Sequence, residues 1–280
     1  MSEEELTFTE MHELVALIQA RYGYDLSGYA DASLRRRFIR AAQIAGISGF
    51  ELKFRITNDA AFFPVLLKGL TVNVTEMFRD PDFYREIATK VLPVLAAYPV
   101  IRIWHAGCAT GEEAFSMAIL LHEAGLLART RIYATDVNHA NLEQAKNGII
   151  PLKKMRRYTM NYQQAGGQND FSAYYTARYD NAIIDSTLRR NIHFTAHNLA
   201  ADDVFNEFHL ICCRNVLIYF KKPLKEQAIG LFSRSLSANG FLALGTRESL
   251  AGSVFQGKFR LANPLQKIYQ YKNDNLLSTF

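Results

Sequence analysis

Only three cysteines occur in the 280 residues, Cys108, Cys212 and Cys213. None stands in a C-x-x-C pair or at a Cys/His metal spacing, so neither a disulfide framework nor a zinc site is indicated, and no metal is expected. Long hydrophobic runs are missing as well. No stretch approaches the roughly 18 uninterrupted apolar residues that a membrane-spanning helix needs. The opening MSEEEL is acidic where a secretory leader would be basic. These absences together predict a cytoplasmic protein with reduced thiols. Charge of one sign is barely in excess: the formal net charge is +5 and the pI about 9.0. That permits nucleic-acid binding but is a weak field for it, and the aromatics do not interleave with the basic run as a base-stacking platform would. The dinucleotide fingerprint G-x-G-x-x-G is absent too. In WHAGCATGEEAF, residues 104–115, Gly107 and Gly111 stand four apart with nothing glycine-like between them.

What is present is an ordinary globular composition, 49% hydrophobic and 21% charged, over a length that holds one large domain and a smaller one. Residues 1–72 read as helical. TFTEMHELVALIQARYGYDL carries Met11, Leu14, Val15, Ile18 and Tyr22 at a 3.6-residue spacing, with Thr9 as the expected N-cap. ADASLRRRFIRAAQIAGI turns Leu34, Phe38, Ala41 and Ala42 to one side and gathers Arg35, Arg36, Arg37 and Arg40 elsewhere. A third helix fits 49–56, and more helix follows Asn58. Residues 73–98 form a linker with a helix after Pro81.

From residue 99 the pattern alternates. VIRIWHA, RIYATD, IHFTAHNL, HLICCRNVLIYF and GFLALGTRES read as strands separated by helices, and FRLANP with QKIYQYK closes the chain. This order predicts an α/β domain over 99–280 with a mainly parallel, doubly wound sheet, finished at one edge by an antiparallel pair. The polar, tyrosine-rich stretch 160–192 breaks the rhythm and reads as an inserted antiparallel subdomain.

In such sheets ligands bind beyond the carboxyl ends of the strands. After the first strand come Ala106, Gly107 and the turn to Gly111, then Glu112 and Glu113. A diphosphate there would meet two carboxylates, whereas a cationic cofactor such as S-adenosylmethionine would be attracted. The simpler alternative is that both acids complement the helix dipole, worth about 0.3 to 1 kcal/mol. Asp136 ends the second strand 25 residues past Gly111, near the interval at which an acid meets a ribose diol. It could equally cap the next helix. Asn215, between ICC and VLI, must satisfy its amide as a structural clasp or a ligand contact, and the Tyr219 hydroxyl needs a partner.

Taken together, NVTEMFRD (73–80), AGCATGEEAFS (106–116), YATDVN (133–138) and CRNVLIYF (213–220) resemble the CheR family of chemotaxis-receptor methyltransferases. Those bacterial enzymes methylate glutamate side chains with S-adenosylmethionine. The resemblance covers nearly the whole chain. It implies a small all-helical N-terminal docking domain followed by a Rossmann-like methyltransferase domain with an inserted β-subdomain. By position it implies Asn73, Thr75 and Arg79 near the amino-acid end of the cofactor, Ala106 and Glu112 in the glycine-rich turn, and Asp136 on the ribose. Asn198 and Leu199 would lie near the adenine, and Asn215, Val216 and Tyr219 beside the methyl group, with Arg79 and Tyr219 as the catalytic pair. The implied partners are the glutamate-rich methylation helices of receptor proteins, held by Arg35, Arg36, Arg37 and Arg40 unless that run is only a solvated face. A monomer is expected. The sequence departs from the family at Cys108, Ala114 and Met77. RYDNAIIDST shows no glycine-rich loop like that by which some members grip a receptor's C-terminal pentapeptide. A nucleic-acid methyltransferase is disfavoured by the lack of a DPPY or NPPF-type tetrapeptide. A catalytically idle scaffold or cofactor sensor, or an enzyme with a non-receptor substrate, is the remaining alternative.

Overall fold

Helix boundaries in the N-terminal part follow from local capping chemistry. The computed structural model describes residues 6–70 and 75–272. Helix α1 spans Phe8–Tyr22, and its N-cap is Thr7 rather than Thr9. Thr7 takes the amide of Glu10 while the Glu10 carboxylate returns to the Thr7 amide at 2.7 Å, a reciprocal box that Thr9 has no acid three residues on to complete. Gly23 then ends the helix at φ 68°, a conformation glycine adopts without penalty. Helix α2 spans Asp31–Ala45, α3 Gly49–Asn58 behind a Ser48/Glu51 box, and α4 Phe62–Leu70. Their apolar faces meet around Leu14, Ile18, Phe38, Leu52, Ile56 and Leu66, all buried.

The chain divides into two units by internal contacts: Met1–Asn73 with Tyr219–Gln227, and Val74–Ile218 with Ala228–Phe280. A short stretch far along the sequence therefore completes the helical unit. Ala30 donates its amide to the Tyr219 carbonyl and Lys221 to that of Gly28, each at 2.8 Å. The Tyr29 and Phe220 rings meet edge to face at 5.1 Å. Periodicity in the N-terminal residues gives no hint of this partner.

In the second unit, a helical run opens with α5 (Pro81–Glu86), widens through Ile87–Val91 and ends in α6 (Leu92–Leu95). Then follow β1 (Ile101–Ala106), α7 (Glu112–Glu123), β2 (Thr130–Asp136) and α8 (His139–Asn147). Next come β3 (Ile149–Pro151), α9 (Met155–Gln164), β4 (Tyr175–Arg178), β5 (Asn181–Ile184), α10 (Ser186–Arg189), β6 (Ile192–Ala196) and β7 (Phe208–Cys213). Helix α11 (Lys222–Ser235), β8 (Leu236–Leu244), β9 (Phe259–Asn263) and β10 (Ile268–Tyr271) complete the described chain. The main sheet has the order β6-β2-β1-β7-β8-β10-β9, parallel except for pairs involving β10. The winding reverses between β1 and β7, the switch point at which such sheets open a crevice. All six residues of β7 are buried, as a central parallel strand requires.

Two boundaries differ from the sequence reading. Strand β7 stops at Cys213 because Asn215 takes φ 61°, which no strand continues through. The small sheet β3-β5-β4 begins at Ile149, ahead of residue 160, since Gly148 caps α8 at φ 63° and frees the β-branched Ile149 and Ile150 to pair with β5.

Phe38 is fully buried in the helical unit. Phe38→Ala is expected to cost roughly 3–5 kcal/mol through lost burial and the cavity left behind, read from urea unfolding.

Candidate active site

Three loops meet beyond the switch point. The first, after β1, is built on left-handed backbone: Gly107 at φ 78°, Ala109 at 48° and Gly111 at 92°. The amides of Gly107 and Cys108 both donate to the Thr135 carbonyl, at 2.8 and 2.9 Å, fastening this loop to the end of β2. A Cβ at Gly107 would fall 2.6 Å from Cγ2 of Val216, so only glycine lets the loop after β7 come this close. Ala106, buried, pairs with Thr135 in the register.

Asp136 is buried where these strands end. Its Oδ2 accepts from the Ala109 amide at 2.9 Å, and its Oδ1 from the Asn138 amide at 2.8 Å and Asn141 Nδ2 at 3.4 Å. It does not cap α8, because Asn138 does so by accepting from Ala140 at 2.9 Å. Asp136 instead clamps the glycine-rich turn. Burial pushes its carboxyl above the usual range despite the hydrogen bonds.

The two glutamates of the turn part ways. Glu112 is buried, with Thr110 donating to Oε2 at 2.5 Å and with Lys154 Nζ and Tyr158 Oη at 3.4 and 3.5 Å from Oε1. Glu113 faces inward, which corrects the expectation of two carboxylates confronting a ligand. It meets His105 Nδ1 at 2.8 Å and Arg214 Nη1 at 3.0 Å. Helical geometry explains this, since successive residues project about 100° apart. Burial alone would raise the Glu113 carboxyl, but His105 and Arg214 outweigh it and hold it below its usual value. The Cys212 thiol lies within 4.8 Å, and burial pushes it well above its usual value, so Arg214 balances the carboxylate charge while the thiol stays protonated. Arg214 also reaches Asp80 at 2.7 Å and the Arg79 carbonyl at 3.2 Å, with its guanidinium 4.0 Å from the Phe83 ring centre. It thereby anchors the MFRD turn, in which Phe78 and Asp80 hold φ 53° and 57°.

Beyond β7, the side-chain Oδ1 of Asn215 is buried with no partner. The backbone there is held by Glu248, a residue the sequence reading missed; its only signal was an acid just past a glycine at the end of an apolar strand. Asn198 Oδ1 accepts from Ala200 at 2.9 Å, closing a turn that buries Leu199. Thr75 and Arg79 are half-buried. Asn73 lies outside the described residues.

In the helical unit, Arg37 does not join the other arginines on a solvent face. It is buried, donates to the Leu70 carbonyl at 2.7 Å and lies 4.2 Å from the centre of the Tyr219 ring, and burial lowers it from the usual arginine value. Arg35 is half-buried over Phe8 and donates to the Leu6 carbonyl. Arg36 and Arg40 are exposed.

Comparison with known proteins decides the family. Residues 73–264 match the SAM-binding domain of CheR methyltransferases, and residues 9–71 match their all-alpha domain. The chain belongs to the CheR methyltransferase family. A Pseudomonas putida protein provisionally named methyltransferase Cher3 is 47% identical over 271 residues, covering 96% of this chain and 99% of its own. The chemotaxis protein methyltransferase of Listeria monocytogenes is 28% identical, covering 88% of this chain and 92% of its own. Chemotaxis protein methyltransferase 1 of Vibrio cholerae is 30% identical, covering 70% and 72%. As a CheR protein the chain takes S-adenosylmethionine as cofactor. The residues present are compatible with that group: the buried, partnerless Asn215 Oδ1 is an open acceptor for a cation beside the glycine-rich turn. No helix among the described residues is long and apolar enough to cross a membrane.

Removing Arg214 strands the half-buried carboxylates of Glu113 and Asp80, so Arg214→Met is expected to cost up to roughly 3 kcal/mol at neutral pH in urea unfolding. Because Glu113 is held below its unfolded value of 4.5, its stabilisation is present above that pH and is lost as pH falls through the folded value. The cost of the substitution should therefore shrink in acid.

Proposed function

We propose that this CheR protein methyl-esterifies glutamate side chains of a bacterial methyl-accepting receptor. The observation that carries the reading is the partnerless, buried Asn215 Oδ1 beside the glycine-rich turn, an open acceptor suited to a sulfonium cofactor. Asn73, Thr75, Arg79, Ala106, Glu112, Asp136, Asn198, Leu199, Asn215 and Val216 are the residues we assign to holding it. When bound, the cofactor supplies an electrophilic methyl group.

The chain's own work is positioning. A glutamate carboxylate is ionised at neutral pH and already nucleophilic, so no strong base is called for. Arg79 pairs with a carboxylate, that of the substrate or of the methionyl group, and the Tyr219 hydroxyl donates to the attacking oxygen and orients it. Alignment and partial desolvation then lower the barrier. The exposed Arg36 and Arg40 draw in an acidic receptor helix, with Arg35 at their edge and Arg37 serving inside the unit. Relatives named as chemotaxis methyltransferases support this substrate class.

Calorimetric titration with S-adenosylhomocysteine is expected to give micromolar binding that Asp136→Ala abolishes. Transfer of tritiated methyl from S-adenosylmethionine to a receptor signalling fragment should yield base-labile label, as an ester does, and Arg79→Ala or Tyr219→Phe should lower kcat about 100-fold with the fold intact. Binding without transfer to any receptor fragment would instead indicate an idle sensor. Arg36→Glu with Arg40→Glu should raise KM for the receptor several-fold, and should do so less at high salt, while leaving cofactor affinity unchanged.

A further inference from the structure

Glu248 sits on the turn between β8 and β9, 5% exposed, with its carboxylate enclosed by main chain. Its Oε2 accepts from the amides of Asn215 at 2.8 Å and Gly245 at 2.6 Å. Its Oε1 accepts from Val216 at 3.0 Å and Ile218 at 3.1 Å. Four backbone donors from two loops thus converge on one anion. A carboxylate is the side chain that offers two acceptor oxygens and no donor, and bonds of this charge-assisted kind are stronger than neutral ones. Gly245 completes the arrangement: a Cβ there would lie 2.7 Å from Glu248 Oε2 and 2.9 Å from the Asn215 amide nitrogen.

We propose that Glu248 is a positioning residue for the cofactor, fixing the loop 215–218 so that Asn215 and Val216 present a preformed face to S-adenosylmethionine. The inference rests on the assignment of Asn215 and Val216 as cofactor contacts. Asn215 holds the left-handed φ of 61°, which asparagine adopts more readily than other non-glycine residues but which its surroundings must still select from the extended alternatives. Glu248 supplies that selection through the amides of residues 215, 216 and 218. The same constraint keeps the Asn215 side chain at one orientation, with Oδ1 buried and partnerless, and holds Val216 against Gly107. A loop ordered before binding costs no ordering when the ligand arrives.

Glu248→Gln is a sharp test because the geometry leaves the amide no good orientation. Whichever end carries the NH2 group faces two backbone N–H donors. The variant of the full chain is expected to raise the Kd for S-adenosylhomocysteine at least tenfold and the KM for S-adenosylmethionine in parallel, with KM for the receptor fragment unchanged. A merely structural clamp would lower Tm and leave these constants as they are well below melting, and that result overturns the proposal. Should Glu248→Gln fail to fold, Gly245→Ala pushes on the same carboxylate and amide and is expected to give the same split. Hydrogen exchange on the wild type needs no variant: the amides of Asn215, Val216 and Ile218 should be strongly protected before any ligand is added, and exchange at free-peptide rates overturns preformation. Asn215→Ala separates the two layers. If it binds S-adenosylhomocysteine like wild type, the contact assignment fails; if it weakens binding while Glu248→Gln does not, the positioning role fails.

Discussion

The guanidinium of Arg214 is the interaction on which the site depends. It lies where β7 ends, almost wholly removed from water, and it draws Glu113 from α7, Asp80 and the Arg79 carbonyl from the MFRD turn, and the face of Phe83 from α5 onto one cation. A charge so placed is tolerable only when every partner is present, because the desolvation cost is met by close ion pairs and hydrogen bonds. Segments more than 100 residues apart in sequence are therefore committed to one arrangement. The residues we assign to the cofactor are their immediate neighbours: Arg79 precedes Asp80, Glu112 precedes Glu113, and Asn215 follows Arg214.

This adjacency is a division of labour along the chain. In each motif one residue serves the Arg214 network and its neighbour is the one we assign to the ligand. Glu113 anchors while Glu112 stands at the glycine-rich turn, and Asp136 fastens that turn from the side. Four of the seven non-glycine residues that hold positive φ among those described, Phe78, Asp80, Ala109 and Asn215, lie in these loops. Each is pinned by a hydrogen bond from outside its own turn: Phe78 N–H to Ser116 Oγ, Asp80 to Arg214, Ala109 to Asp136 and Asn215 to Glu248.

Much of this was legible in the sequence. Alternating strands and helices gave the sheet, the short runs NVTEMFRD and CRNVLIYF gave the family, and small residues followed by Glu112 marked the turn, since these patterns depend on local spacing, whereas the clamping role of Asp136 did not show in them. Other features were hidden for a common reason. Nothing local distinguishes Glu112 from Glu113, Arg37 from Arg36, or Glu248 from a surface acid. Which partner each takes depends on what another element brings to it: Arg214 for Glu113, Lys154 and Tyr158 for the more deeply buried Glu112, the Leu70 carbonyl and the Tyr219 ring for Arg37, and four loop amides for Glu248.

The sequence by itself determined the element types, the parallel winding and, through the family motifs, the cofactor, because hydrophobic period, glycine placement and short motifs act over a few residues. The tertiary structure alone decided where the polar groups point. It assigned Tyr219–Gln227 to the helical unit, turned one of four arginines inward, and made a carboxylate on the turn after β8 the anchor of the loop after β7. Hydrogen bonds and ion pairs become decisive only when water is excluded, and exclusion is a property of the packed fold rather than of any segment within it.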